Sequence, residues 1–193
     1  MRINQKTISN LTLAAMFLPI GFVLPFLTGQ VPQIGNMLLP MHIPVFLCAL
    51  ICGWKYGFAI GLILPIMRSL MFGMPPLYPI AISMTFELAA YGLIAGLLYE
   101  RSRRQNVIVL YRSIVIAMLA GRVVWGAAMA ILLSFGDAGF TFQMFAAGAF
   151  VTAIPGIILQ LVLIPAIMIA LNHSGLVRFC ISRPLRSNVT SVR

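Results

Sequence analysis

Three ionisable side chains, Arg68, Glu87 and Arg122, lie inside long apolar runs of this 193-residue chain. Charge in such a setting is costly, and it ordinarily faces a protein interior and finds a partner there. Between Arg68 and Glu87 runs Gly73-Met74-Pro75-Pro76-Leu77-Tyr78-Pro79, whose prolines deny the backbone the donors a continuing helix needs. The flanking helices are therefore expected to be antiparallel neighbours. At about 1.5 Å per residue, Arg68 lies roughly 7 to 8 Å below that turn and Glu87 roughly 12 Å, a difference a long Arg side chain spans. Arg122, roughly 15 Å above Arg112, reaches about the depth of Glu87.

The expectation is that Arg68, Glu87 and Arg122 converge. Two cations and one anion leave a surplus positive charge, which suits a carboxylate or similar group gripped by the planar fork of an Arg. The plainer alternative is an Arg-Glu-Arg triad that only locks helices together. Desolvating three charges is hard to justify by stability alone, which favours the pocket.

Other polar residues frame this site. His42, beside Asn36 and Pro40, serves either as a ligand contact or in capping a helix that Pro44 helps to start. Trp125 and Gln160 would add a stacking surface and a hydrogen bond, since small pockets combine apolar walls with a few polar groups. No Gly-rich loop ends in Gly-Lys-Ser/Thr, so no nucleotide hydrolysis is expected. Cys48 and Cys52 lack a completing His or Cys cluster, so neither metal nor cofactor is implied. With three cysteines, one of them in a basic tail, no disulfide is expected. His42 and His173 fall on opposite sides of the membrane and make no nucleophile-base pair, so the chain does not read as an enzyme.

The elements that position these groups are membrane helices. With 61% hydrophobic residues, 8% charged residues and a mean hydropathy of +1.04, the chain lies outside the soluble globular range. A crossing takes about 20 mainly apolar residues, and six runs qualify. The first, Ser9 to Thr28, is longer than a signal-peptide core and reads as an uncleaved crossing kinked at Pro19 or Pro25. A loop from Gly29 to Pro40 leads to a short second run ending at Cys52, and that shortness points to a pocket on the outer side. The others run from about Tyr56 to Phe72, Tyr78 to Tyr99, Arg112 to Ser134 and Gln143 to Leu171. The fold class is thus all-α, a six-helix membrane domain over 1–172 with a basic cytoplasmic tail over 173–193.

The formal charge of +10 serves topology rather than nucleic acid, because the basic residues sit at segment ends. Apart from Arg68 and Arg122, every Lys and Arg falls on one side, which the positive-inside rule makes cytoplasmic, together with both termini. The spacings Gly53-xxx-Gly57-xxx-Gly61 and Gly92-xxx-Gly96 allow close helix approach, ordinarily within one bundle. No inverted repeat relates the halves, so a self-contained alternating-access machine is not indicated.

Leu39-Pro40-Met41-His42-Ile43-Pro44-Val45, then Gly53, Gly57, Pro65, Gly73-Met74-Pro75-Pro76, Glu87, Tyr91, Gly92 and Gly96, together resemble the substrate-binding S components of energy-coupling factor transporters. The resemblance is densest over about residues 37 to 98. It implies a six-helix vitamin-binding protein of the bacterial cytoplasmic membrane, its pocket opening outward beneath the loop Gly29 to Pro40. It also implies a shared scaffold membrane subunit and two cytoplasmic ATPases as partners. Members often present Ala-x-x-x-Ala on the first helix for docking; here Ala15 is followed four residues later by Pro19. Among the vitamins the family carries, the surplus cation favours a carboxylate-bearing one, with pantothenate the expectation. The competing class is a structural membrane scaffold of the rod-shape-determining type, with protein partners and no small ligand.

Overall fold

A computed structural model describes residues 5–27, 40–102, 105–134 and 153–174. Among these residues all regular structure is helical. Five helices are long and apolar enough to cross a membrane: α1 (Gln5–Leu27), α3 (Trp54–Phe72), α4 (Ile82–Arg101, with the turn before it), α5 (Val107–Ser134) and α6 (Ile154–His173). Large apolar side chains such as Leu11, Met16, Leu70, Ile108, Val123 and Val162 stand exposed around the bundle. Surface of that kind belongs against lipid, and the chain is an all-α membrane protein.

The remaining helix, α2, covers His42–Ile51, only ten residues. Its length is about 15 Å, half the hydrocarbon thickness. Every residue from His42 to Leu50 is buried, so α2 is encased by its neighbours rather than by lipid. That explains a sequence apolar on all sides. The six-helix order read from the sequence is present, with the second helix at half length.

Gly73 ends α3 in the left-handed conformation, φ 67°, its N–H donating to the Ser69 carbonyl at 2.9 Å. The prolines then delay α4: one wide turn, Leu77–Ala81, closes from the Ala81 N–H to the Pro76 carbonyl before regular helix begins at Ile82. At the other end, α5 starts at Val107, five residues ahead of the Arg112 that hydropathy alone indicates. The reason is a cap, because Asn106 Oδ1 accepts the Val109 N–H at 2.9 Å. The segment 143–152, where the sixth run was expected to begin, lies outside the described residues, as does the tail beyond Ser174.

Glycine sets the closest approach in the bundle. A Cβ on Gly92 would meet the Gly57 backbone at 2.3 Å, and one on Gly96 the Trp54 backbone at 2.5 Å. Both glycine spacings therefore serve α3–α4 packing, which brings the backbones together. Helix α4 is the hub, touching α2, α3 and α5. One apolar cluster joins Phe46, Tyr91, Ile114, Ile164 and Met168, and another joins Ala14, Val45, Cys48, Leu64 and Leu88. Cys48 and Cys52 are buried and unbridged.

Candidate substrate site

Glu87 and Tyr91 are four residues apart on α4, so they rise from one face one turn apart. The Tyr91 hydroxyl donates to Glu87 Oε1 at 2.6 Å. From α5, Arg122 Nη1 lies 3.0 Å from the same oxygen. From the first turn of α2, His42 Nε2 lies 3.9 Å from it. All four residues are buried. An ion pair with one charge-assisted hydrogen bond on the same carboxylate is the kind of satisfaction a buried acid requires.

Local sequence explains why these groups meet. A Cβ on Gly121 would lie 2.2 Å from Tyr91 Cε1, so only a glycine beside Arg122 lets the ring pass between α4 and α5. On its other side the ring is held by α2, stacked on Phe46 at 5.1 Å and tilted against His42 at 5.3 Å between centroids. His42 and Phe46 are themselves one helical turn apart. The short helix thus acts as a rail that presses Tyr91 toward Glu87.

The cluster sits at mid-depth. Glu87 is about 15 Å along the helix from Leu77, and Arg122 about 18 Å from Ser134. Those two helix ends adjoin, since the Tyr78 hydroxyl bonds the Leu132 carbonyl. His42 is also where α2 begins, so the polar cluster lies at the level at which the half-length helix starts.

Arg68 is not part of this cluster, which corrects the expected three-way convergence. Its Nη1 donates to the Phe22 carbonyl of α1 at 3.0 Å, and its guanidinium lies 5.6 Å from the Phe72 ring centroid. The Leu64 side chain, one turn earlier on α3, is likewise the group a Cβ on Gly21 of α1 would strike, so this end of α3 lies against α1. Helix α3 approaches α4 nearer its start, at Gly57 and Gly61, about two turns or more before Arg68. Arg68 consequently joins α1 to α3, and among the described residues the Glu87 carboxylate is paired with one Arg, Arg122.

Gln160 is buried on α6, and the Ile157 and Leu161 of the same stretch line a small cavity with Met118 and Arg122. That places Gln160 at about the level of Arg122. The cavity, about 110 Å³, is well below the roughly 300 Å³ and upward of ligand pockets, so it admits part of a ligand at most. Trp125 is half-buried, about one turn beyond Arg122 on α5. Asn36 lies outside the described residues, with most of the loop from Gly29 to Pro40. Tyr91 and Gly121 were not among the site residues picked from the sequence. The four-residue interval from Glu87 to Tyr91 and a glycine adjoining an intramembrane Arg were the available signals.

The family model described as "ECF transporter, substrate-specific component" matches residues 9–168. Comparison with curated proteins gave no match, and neither did comparison with solved structures. The matched segment reaches into every described membrane-spanning helix and takes in the whole of the polar cluster, and the family is one of transporter components, not of enzymes. The rod-shape scaffold alternative is thereby set aside: the chain belongs to the family of substrate-specific components of ECF transporters and is a multi-pass membrane protein.

Proposed function

We propose that this substrate-specific subunit captures a vitamin-like solute bearing a carboxylate, with pantothenate the leading candidate, and holds it against Arg122. The observation that carries the reading is the position of Arg122: a buried guanidinium at mid-depth, level with the start of a helix that spans only half the bilayer. One of its donors engages Glu87, and a planar guanidinium has five. His42, Trp125 and Gln160 supply further contacts in this reading, Asn36 contributes from the loop, and Tyr91 and Glu87 orient the Arg. Arg68 takes a structural part, holding α1 to α3.

The solute enters from the Gly73 end of the bundle. Both termini and the tail over 173–193 lie in the cytoplasm of a bacterial cell, the side to which the basic residues point. There the subunit works with a shared scaffold membrane protein and two ATPases. Residues 1–172 form the membrane domain in this scheme.

A second reading has one observation in its favour. Arg122 and Glu87 already balance each other, so the pair would hold α4 to α5 without any solute. Native mass spectrometry of the protein in mild detergent separates the two. A stoichiometric acid of vitamin mass, released on denaturation and replaced by added pantothenate, supports capture. A chain that carries no acid and takes up no pantothenate reduces the pair to a helix clamp.

A further inference from the structure

Resting on the reading that Arg122 grips the solute, we infer that Glu87 is a built-in counter-anion and that an anionic solute enters this site together with a proton. Arg122 contributes one positive charge, and Glu87, 3.0 Å away, cancels it. A second carboxylate at the same guanidinium would leave one uncompensated negative charge at mid-membrane, in surroundings where such a charge is not tolerated. Two like carboxylates sharing one site hold a proton between them for the same reason. The proton has a place to go, because His42 Nε2 lies 3.9 Å from Glu87 Oε1.

The balance is simple. Before binding, Arg122 and Glu87 sum to zero. After binding, the solute adds one negative charge, and one proton taken from water onto His42 or Glu87 restores zero. No bond other than the one to that proton is formed.

Among the described residues no other charged group beside this cluster answers the same need. Helix α4 presents Glu87 and Tyr91, whose hydroxyl already donates to Glu87. Helix α5 presents Arg122, and α6 presents Gln160, which does not titrate. Arg68 on α3 bonds to the Phe22 carbonyl, and α1 carries no titratable side chain beyond Lys6 near its start. Cys48 on α2 and Cys52 just past its end belong to the other apolar cluster.

The test is calorimetric titration of the full-length protein in detergent with pantothenate, between about pH 5.5 and 8, in buffers of differing ionisation enthalpy. Uptake of one proton predicts affinity about tenfold weaker per unit of rising pH where the cluster titrates, with a buffer-dependent heat. Glu87→Gln, which removes the competing anion and keeps the shape, is expected to bind with no pH slope. His42→Gln is expected to bind more weakly at low pH and to flatten the slope. Far-ultraviolet circular dichroism and a monodisperse elution profile establish that each variant is folded, and the wild-type buffer dependence stands without any variant. Binding that is lost with Arg122→Gln/Glu87→Gln yet shows no proton uptake overturns the counter-anion role and leaves the site reading intact. Pantothenate binding indifferent to that double substitution, or a chain that neither carries a co-purified acid nor binds pantothenate, overturns the site reading and this inference with it.

Discussion

Arg122 and Glu87 meet across the α4–α5 interface with Nη1 3.0 Å from Oε1, both side chains almost wholly withdrawn from the surface. Neither group would be stable at that depth alone, and the pair is further tied by the Tyr91 hydroxyl on the same oxygen. Structure and recognition therefore share one carboxylate, and substitutions there have to be read in pairs.

Arg122→Gln leaves Glu87 buried opposite a neutral side chain. Breaking such a pair from one side costs about 3–5 kcal/mol, so the single variant should unfold at markedly lower temperature or denaturant. Adding Glu87→Gln should recover most of that loss, because no charge then remains uncompensated. Unfolding midpoints in detergent for the two single variants and the double variant measure this; equal losses that simply add would show that the two groups do not interact.

Tyr91→Phe removes a hydrogen bond to a charged acceptor while leaving the ring packed between α2 and α5. Such bonds contribute about 1.5–3 kcal/mol. The same unfolding assay should show a loss in that range, carried mainly through Glu87, so that Tyr91→Phe costs little in a Glu87→Gln background.

Gly121→Ala places a methyl group where Tyr91 Cε1 already lies, 2.2 Å from the ideal Cβ position. Overpacking of this kind costs about 1–3 kcal/mol, and here it also pushes the hydroxyl off Glu87. Destabilisation should be relieved when Tyr91→Ala is combined with it. An additive double variant would mean that the ring yields at no cost.

Arg68→Gln tests the corrected placement of that residue. Because Arg68 donates to the Phe22 carbonyl, its loss should loosen α1 from α3 and leave pantothenate binding within a few-fold of wild type, whereas the Arg122 variant loses it. A double-mutant cycle between Arg68 and Glu87 should show coupling below about 0.5 kcal/mol, the level of independent sites.

Much of the architecture was legible without coordinates. Apolar run length and composition identified the membrane helices, and the turn from Gly73 to Pro79 ended α3 for the stated backbone reasons. The depth argument also brought Glu87 and Arg122 to one level, because rise per residue depends on helix geometry alone. It misjudged Arg68, whose guanidinium reaches the Phe22 carbonyl of α1 rather than Glu87. The late start assigned to α5 had a similar origin, since hydropathy does not register a polar cap such as Asn106.

The sequence by itself determined that this chain is a membrane helix bundle with charges at mid-depth, because burying backbone and ionisable groups in hydrocarbon leaves few alternatives. Only the tertiary structure decided who pairs with whom. Arg68 turns to α1 and Arg122 to Glu87 because rotation about each helix axis is set by side-chain interlock: Leu64 against Gly21, Gly92 against Gly57, Tyr91 in the gap left by Gly121. Those contacts join residues far apart in the chain, and no local pattern encodes them.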